Sequence, residues 1–353
     1  MKKLKEKYKC RLIRLSYFAQ LKAKKNKKNF GPKESKFVSP NEVIKAPYII
    51  DLGDNAVELV KTMRAVSRRV LGMNRPVKIN FKDTKQFYVT GAIYLYAELN
   101  RIIDSSKLQK PITLIRPQFK KPCEVMKQIG LFEICDDDVN IKPELEDVIY
   151  WRVAKGHNQN GDIQGKHIEE VTNMTNSKNQ NLQVKNIWKG INEAVNNVID
   201  HAYQVPRFDK FQGLTDTKWW MLSNLRNNHF VTAVCDLGCG YSKTIEKTIP
   251  EKFLLGVKKL MNAGNDDVFS IQAAMEYGRS STKEENRGKG SLDAQTVLTS
   301  HGAGELLILS NSGSVKYSMI NGSVTQELAR EIGIDIGGTI VWWRLPLKEE
   351  NDE

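Results

Sequence analysis

The sequence predicts an α+β fold in two parts, and three observations support that prediction. Strand-like and helix-like segments alternate through residues 46–134. A strongly amphipathic segment at 187–203 predicts one long helix, and apolar strand segments follow it. Glycine turns at 236–240, 287–291 and 337–339 separate these later elements. Such an order favours sheets with helices packed against them.

The composition is that of a globular protein with room for about two domains. The 353 residues are 40% hydrophobic and 27% charged. No window approaches the ~18 uninterrupted apolar residues of a membrane span. The five cysteines are odd in number and form no CxxC pair. We therefore expect a reduced, cytoplasmic protein without a membrane partner.

Almost all of the net charge lies in the first 45 residues, which we predict to be a basic extension. Residues 1–36 contain fourteen Lys or Arg and two Glu, which is 14 − 2 = +12 of the total +13. One interpretation is a solvated extension. The other is a weak contact with nucleic acid or with an acidic partner. Neither aromatic interleaving nor a nucleic-acid motif accompanies the lysines.

Residues 46–150 are predicted to form a small α/β domain. Its predicted strands are 46–52, 77–81 and 112–117, and its predicted helices are 55–71, 87–104 and 123–134. Gly130 is expected to close the last of these helices.

This order of elements, with the run QIGLFEI at 128–134, resembles the STAS fold of sulfate transporters and anti-sigma-factor antagonists. Some members of that family are phosphorylated on a serine where this helix starts, and Thr90 lies near that place here. Thr90 is thus either a phosphoacceptor or an ordinary helix cap. The resemblance implies that the domain docks a protein partner or self-associates.

A Gly- and Asn-rich stretch at 151–166 predicts a linker between this domain and a second one at 167–348, which leaves 349–353 as an acidic tail. His157 and His167 flank the linker. His167 lacks the setting of a phosphoacceptor histidine, because Ile168 separates it from Glu169 and Glu170, and we interpret it as a surface residue.

The helix predicted at 187–203 carries polar groups beside its apolar stripe. Glu193, Asn197 and His201 fall at i, i+4 and i+8, so they are expected to share one face. The alternative is a solvated face with ordinary helix pairs. The three glycine turns that follow favour a nucleotide site, since a carboxylate, an amide and glycine bends suit a nucleotide and its magnesium.

After a polar loop that contains Trp219 and Trp220, an apolar strand at 229–238 delivers Asp236 to its carboxyl end. Gly238 and Gly240 allow a tight turn and a close approach to a flat ring. A carboxylate there can accept a hydrogen bond from an exocyclic amine, which would select adenine over guanine. The alternative is a plain strand-to-helix turn.

The polar stretch 264–290 lacks apolar periodicity and predicts a mobile lid in front of a helix at 291–300. Gly288 and Gly290 would free backbone N–H groups at that helix start to face phosphates. Lys283, Arg287 and Lys289 are the candidate cations. The last strands are predicted at 305–311 and 339–347, joined by a hairpin and a short helical piece.

The segments EAVNNVIDHAY, DLGCG, RGKGS and GGTIVWWRLP, in this order, resemble the N, G1, G2 and G3 boxes of the GHKL superfamily of ATPases and kinases. The first box is most similar to that of anti-sigma-factor serine kinases. The resemblance implies a Bergerat-type α/β sandwich, with an antiparallel or mixed sheet and helices on one face, which binds ATP with Mg²⁺.

The resemblance also assigns roles to residues. It implies that Glu193 is the general base, that Asn197 is a Mg²⁺ ligand and that Asp236 binds the adenine amine. The other implied ATP contacts are Gly238 and Gly240 below the base, Thr339 beside it, and Arg287, Gly288, Lys289, Gly290 and Ser291 around the phosphates.

Three functions follow from these residues. The first is an ATPase whose lid closure switches the N-terminal domain or a partner. The second is a serine/threonine kinase of the anti-sigma type, and the third is a non-catalytic nucleotide sensor. Within the superfamily that this chain resembles, most histidine kinases lack this Glu, so the resemblance implies that Glu193 favours transfer of phosphate to water or to a serine.

Overall fold

A computed structural model describes residues 42–349, except 138, 158–168, 170–172, 174–179, 182–183, 206, 208–217, 261–264 and 282–289. Helices and strands both contribute extensively, so the predicted α+β class is confirmed. Residues from Val43 onward form one compact unit. The basic extension lies outside the described residues except for its end, where Glu42–Lys45 form a strand instead of continuing the extension.

The N-terminal module, which we define as residues 42–151, contains five short strands and four helices. Its strands are β1 (Glu42–Lys45), β2 (Ile49–Ile50), β3 (Val77–Asn80), β4 (Gln86–Phe87) and β5 (Ile112–Ile115). Its helices are α1 (Ala56–Ser67, continued by a π-helical turn Arg68–Gly72), α2 (Val89–Ser105), α3 (Lys120–Gln128) and α4 (Leu131–Ile134). The predicted strands and helices occur in the predicted order, with β1 and β4 in addition. Gly130, with φ of 77°, ends α3 as expected, but the residues after it form the separate helix α4, so the helix predicted at 123–134 was wrong in its extent.

The remaining elements belong to the second part of the fold. Its strands are β6 (Arg152–His157), β7 (Gln180–Asn181), β8 (Lys218–Arg226), β9 (His229–Asp236), β10 (Gly304–Ser310), β11 (Gly313–Ile320), β12 (Ser323–Glu331), β13 (Thr339–Pro346) and β14 (Lys348–Glu349). Its helices are α5 (Val184–Asn197, continued by a π-helical segment Val198–Ala202), α6 (Tyr241–Thr248), α7 (Glu251–Leu260), α8 (Asp266–Ser281) and α9 (Gly290–His301).

Seven strands build one antiparallel sheet in the order β12-β11-β10-β13-β9-β8-β6. The central pair sets the site, because Thr339 of β13 is directly opposite Asp236 of β9. A smaller sheet in the N-terminal module has the order β1-β3-β5, with β3 and β5 parallel.

Both faces of the large sheet are covered. Phe230 and Val234 of β9 pack in a core with α5 and α9, whereas Val231, Ala233 and Cys235 pack in a core shared with the N-terminal module. Successive side chains of a strand point to opposite faces, so one run of apolar residues serves two cores. Helix α2 provides the layer on the second face.

Four predictions about this region were wrong in part. Residues 152–157 are not linker, since they pair with β8 as the edge strand β6. Trp219 and Trp220 lie in β8 and are fully buried rather than in a polar loop. The short helical piece expected before the last strand is the exposed edge strand β12. Its polar sequence suits an edge strand, which pairs with one neighbouring strand only.

The fourth error concerns the division at 150, because the apolar core runs across it from α2 to the sheet. Within the described ranges, no helix is both long and apolar enough to cross a membrane.

Candidate functional site

The helix α5 and its π-helical continuation form one side of the candidate site. Ile187, Ile191, Val195 and Val198 are buried, which confirms the predicted apolar stripe. The change to π-helical geometry falls at Val198–Ala202, directly after Asn197. Single π-helical turns inside α-helices occur often at functional sites. Here the turn carries His201 and Ala202 towards the loop that follows β9.

That loop, residues 236–240, holds a buried carboxylate. The Asp236 Oδ1 accepts a hydrogen bond from the Gly238 N–H at 2.8 Å. The Cys239 N–H donates to the Ala202 carbonyl at 2.7 Å, so the loop is fastened to the end of the π-helical segment. A Cβ atom at Gly238 would lie 2.1 Å from the Ala202 oxygen, which only glycine avoids. Gly240 has a φ of 75° and begins the turn into α6.

Burial raises the pKa of Asp236 to about 6. Hydrogen bonds from Gly238 and Thr339 and the charge of Arg207 act in the opposite direction and do not cancel the cost of removing the carboxylate from water. Because the carboxylate is buried, its hydrogen bonds are sensitive to the polarity of any group placed against it.

A cavity of about 330 Å³ opens between the helix, the loop and the sheet. Its volume is at the lower end for small-molecule sites. It is lined by Ala194, Asn197, Val198, His201, Ala202, Val234, Asp236, Gly240, Tyr241, Thr244, Ile245, Ile249, Ala274, Tyr277, Thr339 and Val341.

The cavity brings together four predicted residues from three separate segments of the sequence, namely Asn197, Asp236, Gly240 and Thr339. Gly238 is not among the lining residues and packs against Ala202. The Thr339 hydroxyl is 3.3 Å from the Ser310 Oγ, which also accepts a hydrogen bond from the Tyr241 N–H at 2.9 Å. These bonds fix β13, β10 and α6 around the carboxylate.

Glu193 does not line the cavity, whereas its neighbour in the chain, Ala194, does. Burial raises the pKa of Tyr241, a lining residue, and the charges of Asp236 and Glu193 raise it further. Glu193 is therefore close enough to influence a group in the cavity. Glu193, Asn197 and His201 were predicted to share one face of the helix. Asn197 and His201 both line the cavity, whereas Glu193 does not.

The glycine turn predicted to hold phosphates is only partly described. Lys283, Arg287, Gly288 and Lys289 lie outside the described residues, whereas Gly290 and Ser291 form the first turn of α9.

The direction of α9 follows from its contacts with β13. The Trp343 Nε1 donates to the Ala294 carbonyl at 2.9 Å, and the His301 Nε2 is 2.6 Å from the Pro346 carbonyl oxygen. Helix and strand therefore run in the same direction. The first turn of α9 lies towards the end of β13 at which Thr339 and Val341 line the cavity.

The lid predicted at 264–290 was wrong for most of its length, because Asp266–Ser281 form the helix α8. The Asn265 side chain caps it, accepting hydrogen bonds from the N–H groups of Asp267 and Val268 at 2.8 and 3.1 Å. Ala274 and Tyr277 of this helix line the cavity. Residues 265–281 are thus a wall of the site, whereas residues 264 and 282–289 of the predicted lid lie outside the described residues.

Sequence reasoning missed the residues that α6 and α8 bring to the cavity. Tyr241, Thr244, Ile245 and Tyr277 are lining residues with no distinguishing spacing in the sequence. A signal for α8 did exist, since Asn265 followed by two aspartates is a typical helix start.

The cavity has an uneven distribution of charge. Its lining residues within the described ranges include Asp236 but neither Lys nor Arg. Among these residues no group of three or more His, Cys, Asp or Glu side chains could hold a metal ion. Asn197 alone offers an amide oxygen of the kind that Mg²⁺ accepts together with water and phosphate oxygens.

The histidines and Thr90 can now be placed. His157 is exposed on β6, and His167 lies outside the described residues. Thr90 is buried in the first turn of α2, where its hydroxyl is hydrogen-bonded to the Asp51 carboxylate at 3.2 Å. Its side chain makes no capping hydrogen bond, because Tyr88 occupies the position before the helix.

Searches of family models, of curated proteins and of solved structures found no significant match for this chain.

Proposed function

We propose that this chain binds ATP with Mg²⁺ and hydrolyses it, and that the bound nucleotide alters the N-terminal module or a protein partner. One observation carries the proposal. Asp236 and Asn197 come from different elements and face the same cavity, whose other walls are mainly apolar. An apolar pocket with a few convergent polar groups is the usual form of a small-molecule site.

The proposal gives Asp236 the role of base recognition. A buried carboxylate accepts a hydrogen bond from the exocyclic amine of adenine, whereas the carbonyl that guanine has at that position would leave it opposed by another acceptor. Thr339 lies directly across the sheet from Asp236 and would assist at the same edge of the base. Gly240 and Ala202 leave room for a flat ring.

Asn197 and the start of α9 are proposed to face the phosphates. Asn197 would hold Mg²⁺ through its amide oxygen, and the ion would neutralise phosphate charge. The first turn of α9, with Gly290 and Ser291, offers backbone N–H groups and the positive end of a helix dipole. The described lining residues supply no Lys or Arg. We therefore assign the cationic role to Lys283, Arg287 and Lys289.

Glu193 is proposed to remove the proton from the attacking water. Its position four residues before Asn197 puts it one helical turn away on the same helix. A general base of this kind typically contributes about 10²–10⁴-fold to the rate.

The alternative is transfer of phosphate to a serine or threonine, as the resemblance to anti-sigma-factor kinases suggests. Thr90 is a poor acceptor in this fold because its side chain is buried and hydrogen-bonded to Asp51. A kinase activity would therefore act on another residue or on a partner protein. A non-catalytic sensor remains the third alternative.

The proposed conformational switch of the N-terminal module can act through Arg207. Arg207 follows the π-helical segment, and its charge helps to keep Asp236 ionised. The Arg207 Nη2 also forms a buried ion pair with the Glu98 Oε1 of α2 at 2.6 Å. A change in the loop 236–240 can thus reach the N-terminal module through the Arg207 side chain. We propose that this module passes the change to a partner or to a second copy of the chain.

The test is a titration of the full chain with a non-hydrolysable ATP analogue and with the matching GTP analogue, each with and without Mg²⁺. We expect binding of the adenine ligand, a clear preference over guanine, and an enhancement by Mg²⁺. Incubation with ATP labelled at the γ-phosphate then separates the alternatives. Free phosphate indicates an ATPase, labelled protein indicates a kinase, and binding without either product indicates a sensor. Absence of binding at millimolar ligand would refute the proposal.

A further inference from the structure

His201 contributes a polar atom to the cavity that the proposed function does not use. It lies on the π-helical segment Val198–Ala202 and is one of the residues that line the cavity. The Nδ1 atom is buried and has no hydrogen-bond partner in the described part of the chain. A buried polar atom without a partner costs about 1–3 kcal/mol, so natural proteins seldom retain one without a use.

The main chain places His201 at the nucleoside end of the site. The His201 carbonyl accepts a weak hydrogen bond from the Cys239 Sγ at 3.8 Å. The next carbonyl, that of Ala202, accepts from the Cys239 N–H. Cys239 follows Asp236 by three residues in the loop 236–240. Asn197, which we assign to the metal and the phosphates, lies a full turn earlier on the helix.

The chemistry of an imidazole narrows the choice of partner. The Nδ1 of a neutral histidine is a donor in one tautomer and an acceptor in the other. Phosphate oxygens and the ring nitrogens of adenine only accept hydrogen bonds, whereas a sugar hydroxyl both donates and accepts. A sugar hydroxyl therefore satisfies Nδ1 in either tautomer, and it is the polar group that lies next to the base in a nucleoside.

We propose that His201 hydrogen-bonds a ribose hydroxyl of the bound nucleotide and makes the site selective for ribonucleosides over the corresponding deoxynucleosides. This inference rests on the proposed nucleotide site and adds to it a residue that specifies the sugar. The selectivity arises because a deoxynucleoside leaves the buried Nδ1 without a partner.

The experiment compares adenosine, 2′-deoxyadenosine and 3′-deoxyadenosine by isothermal titration of the full chain. Wild-type protein should bind adenosine about tenfold more tightly than one of the two deoxy ligands. His201→Ala should weaken adenosine binding by that factor and leave the affinity for that deoxy ligand unchanged, which abolishes the preference.

Two further variants test which ring nitrogen of His201 makes the contact with the ribose hydroxyl. His201→Asn keeps a polar group close to the position of Nδ1 and should retain most of the preference. His201→Gln moves the polar group towards the position of Nε2 and should lose it. His229→Ala is the matched control, because His229 lies at the opposite end of β9 from Asp236, and its affinities should equal those of the wild type.

Each outcome bears on a distinct claim. Equal affinity of the wild type for all three nucleosides would overturn the role of His201. This test uses wild-type protein alone and so does not depend on whether a variant folds. If Asp236→Asn weakens adenosine binding while His201→Ala does not, the nucleotide site stands and the sugar contact is wrong. If the wild type binds none of the three nucleosides and no ATP analogue, the proposed function itself fails.

Discussion

Asp236 has a structural role in its loop and a proposed role in base recognition. Its carboxylate holds the Gly238 N–H and so shapes the loop, and it also lines the cavity. Burial makes both roles depend on ionisation, because the pKa is raised to about 6. Close to neutral pH the carboxylate is ionised and can accept a hydrogen bond from an amine.

Asp236→Asn should weaken binding of an ATP analogue by about 1–3 kcal/mol, because the introduced amide group would meet the adenine amine as a donor. Isothermal titration at pH 7.5 measures the change. Asp200→Asn is the control, because the Asp200 side chain is exposed to solvent. Equal affinity of the unmodified protein for ATP and GTP would contradict the assigned role.

The stability of the ligand-free protein should depend on pH through the same group. The pKa of Asp236 is about 6 in the folded chain, against an ordinary value of 3.8. The folded state therefore binds a proton that the unfolded chain has released, and this contribution to stability is lost as pH rises from about 4 to about 6. The loss amounts to about 3 kcal/mol.

Asp236→Asn lacks this titration. The free energy of unfolding of the variant relative to the wild type should therefore increase between pH 4 and pH 7, as measured by urea denaturation. A difference that stays constant with pH would show that the carboxylate is not buried as described.

Glu193→Ala should slow ATP turnover by about 10²–10⁴-fold with little effect on ATP binding, because the side chain is assigned to proton transfer and does not line the cavity. Single-turnover assays together with titration separate the two effects. Glu58→Ala, on the exposed side of α1, is the control. Unchanged turnover would remove Glu193 from the mechanism.

At the scale of elements, the helix α8 illustrates how a cavity wall can form from a sequence without a clear apolar stripe. Its buried residues include Ser270, Ala273 and Ala274 beside Ile271 and Met275. Small residues allow close packing on several sides, so burial does not follow one helical face. The Asn265 cap and the bonds from Ser312 to Asp267 fix where the helix starts.

Asn265→Ala should destabilise the protein by about 1 kcal/mol, because two N–H groups at the start of α8 lose their acceptor. Denaturant unfolding followed by circular dichroism measures the change. Asn140→Ala, at an exposed position in the N-terminal module, should have almost no effect. Equal losses for the two variants would indicate that the cap does not stabilise α8.

At the scale of the whole molecule, the N-terminal module and the large sheet share one core. Trp220, Leu222 and Ile340 of the sheet pack in the same cluster as Leu95 and Leu99 of α2. The buried pair of Glu98 and Arg207 crosses this contact. The module is therefore a structural layer of the fold as well as a candidate for transmitting the state of the proposed nucleotide site.

A fragment that begins at residue 151 should not fold, because one face of its sheet would lose its cover. Full burial of a large apolar side chain is worth about 1.5–3 kcal/mol, and several such residues would be exposed together. Circular dichroism and binding of a hydrophobic dye should show a disordered or aggregating fragment. The control is a chain that begins at residue 43, which retains the whole compact unit and should fold. A soluble, cooperatively folding 151–353 fragment would restore the two-domain prediction.

The sequence by itself determined the local elements and much of the site. Periodic apolar residues placed α5, and the strand pattern placed β9 and its terminal Asp236. Glycines marked turns whose geometry excludes a Cβ atom, as at Gly238. These features depend on neighbours in the chain, which a sequence pattern reports directly.

Only the tertiary structure decided which surfaces meet. It joined residues 46–150 to the sheet, although the uninterrupted apolar run of β9 is typical of a strand buried on both faces. It also turned the expected lid into α8 and brought Tyr241, Tyr277 and His201 to one cavity. Such contacts join residues far apart in the chain, and the packing of both faces of the sheet selects them. No local spacing encodes that choice.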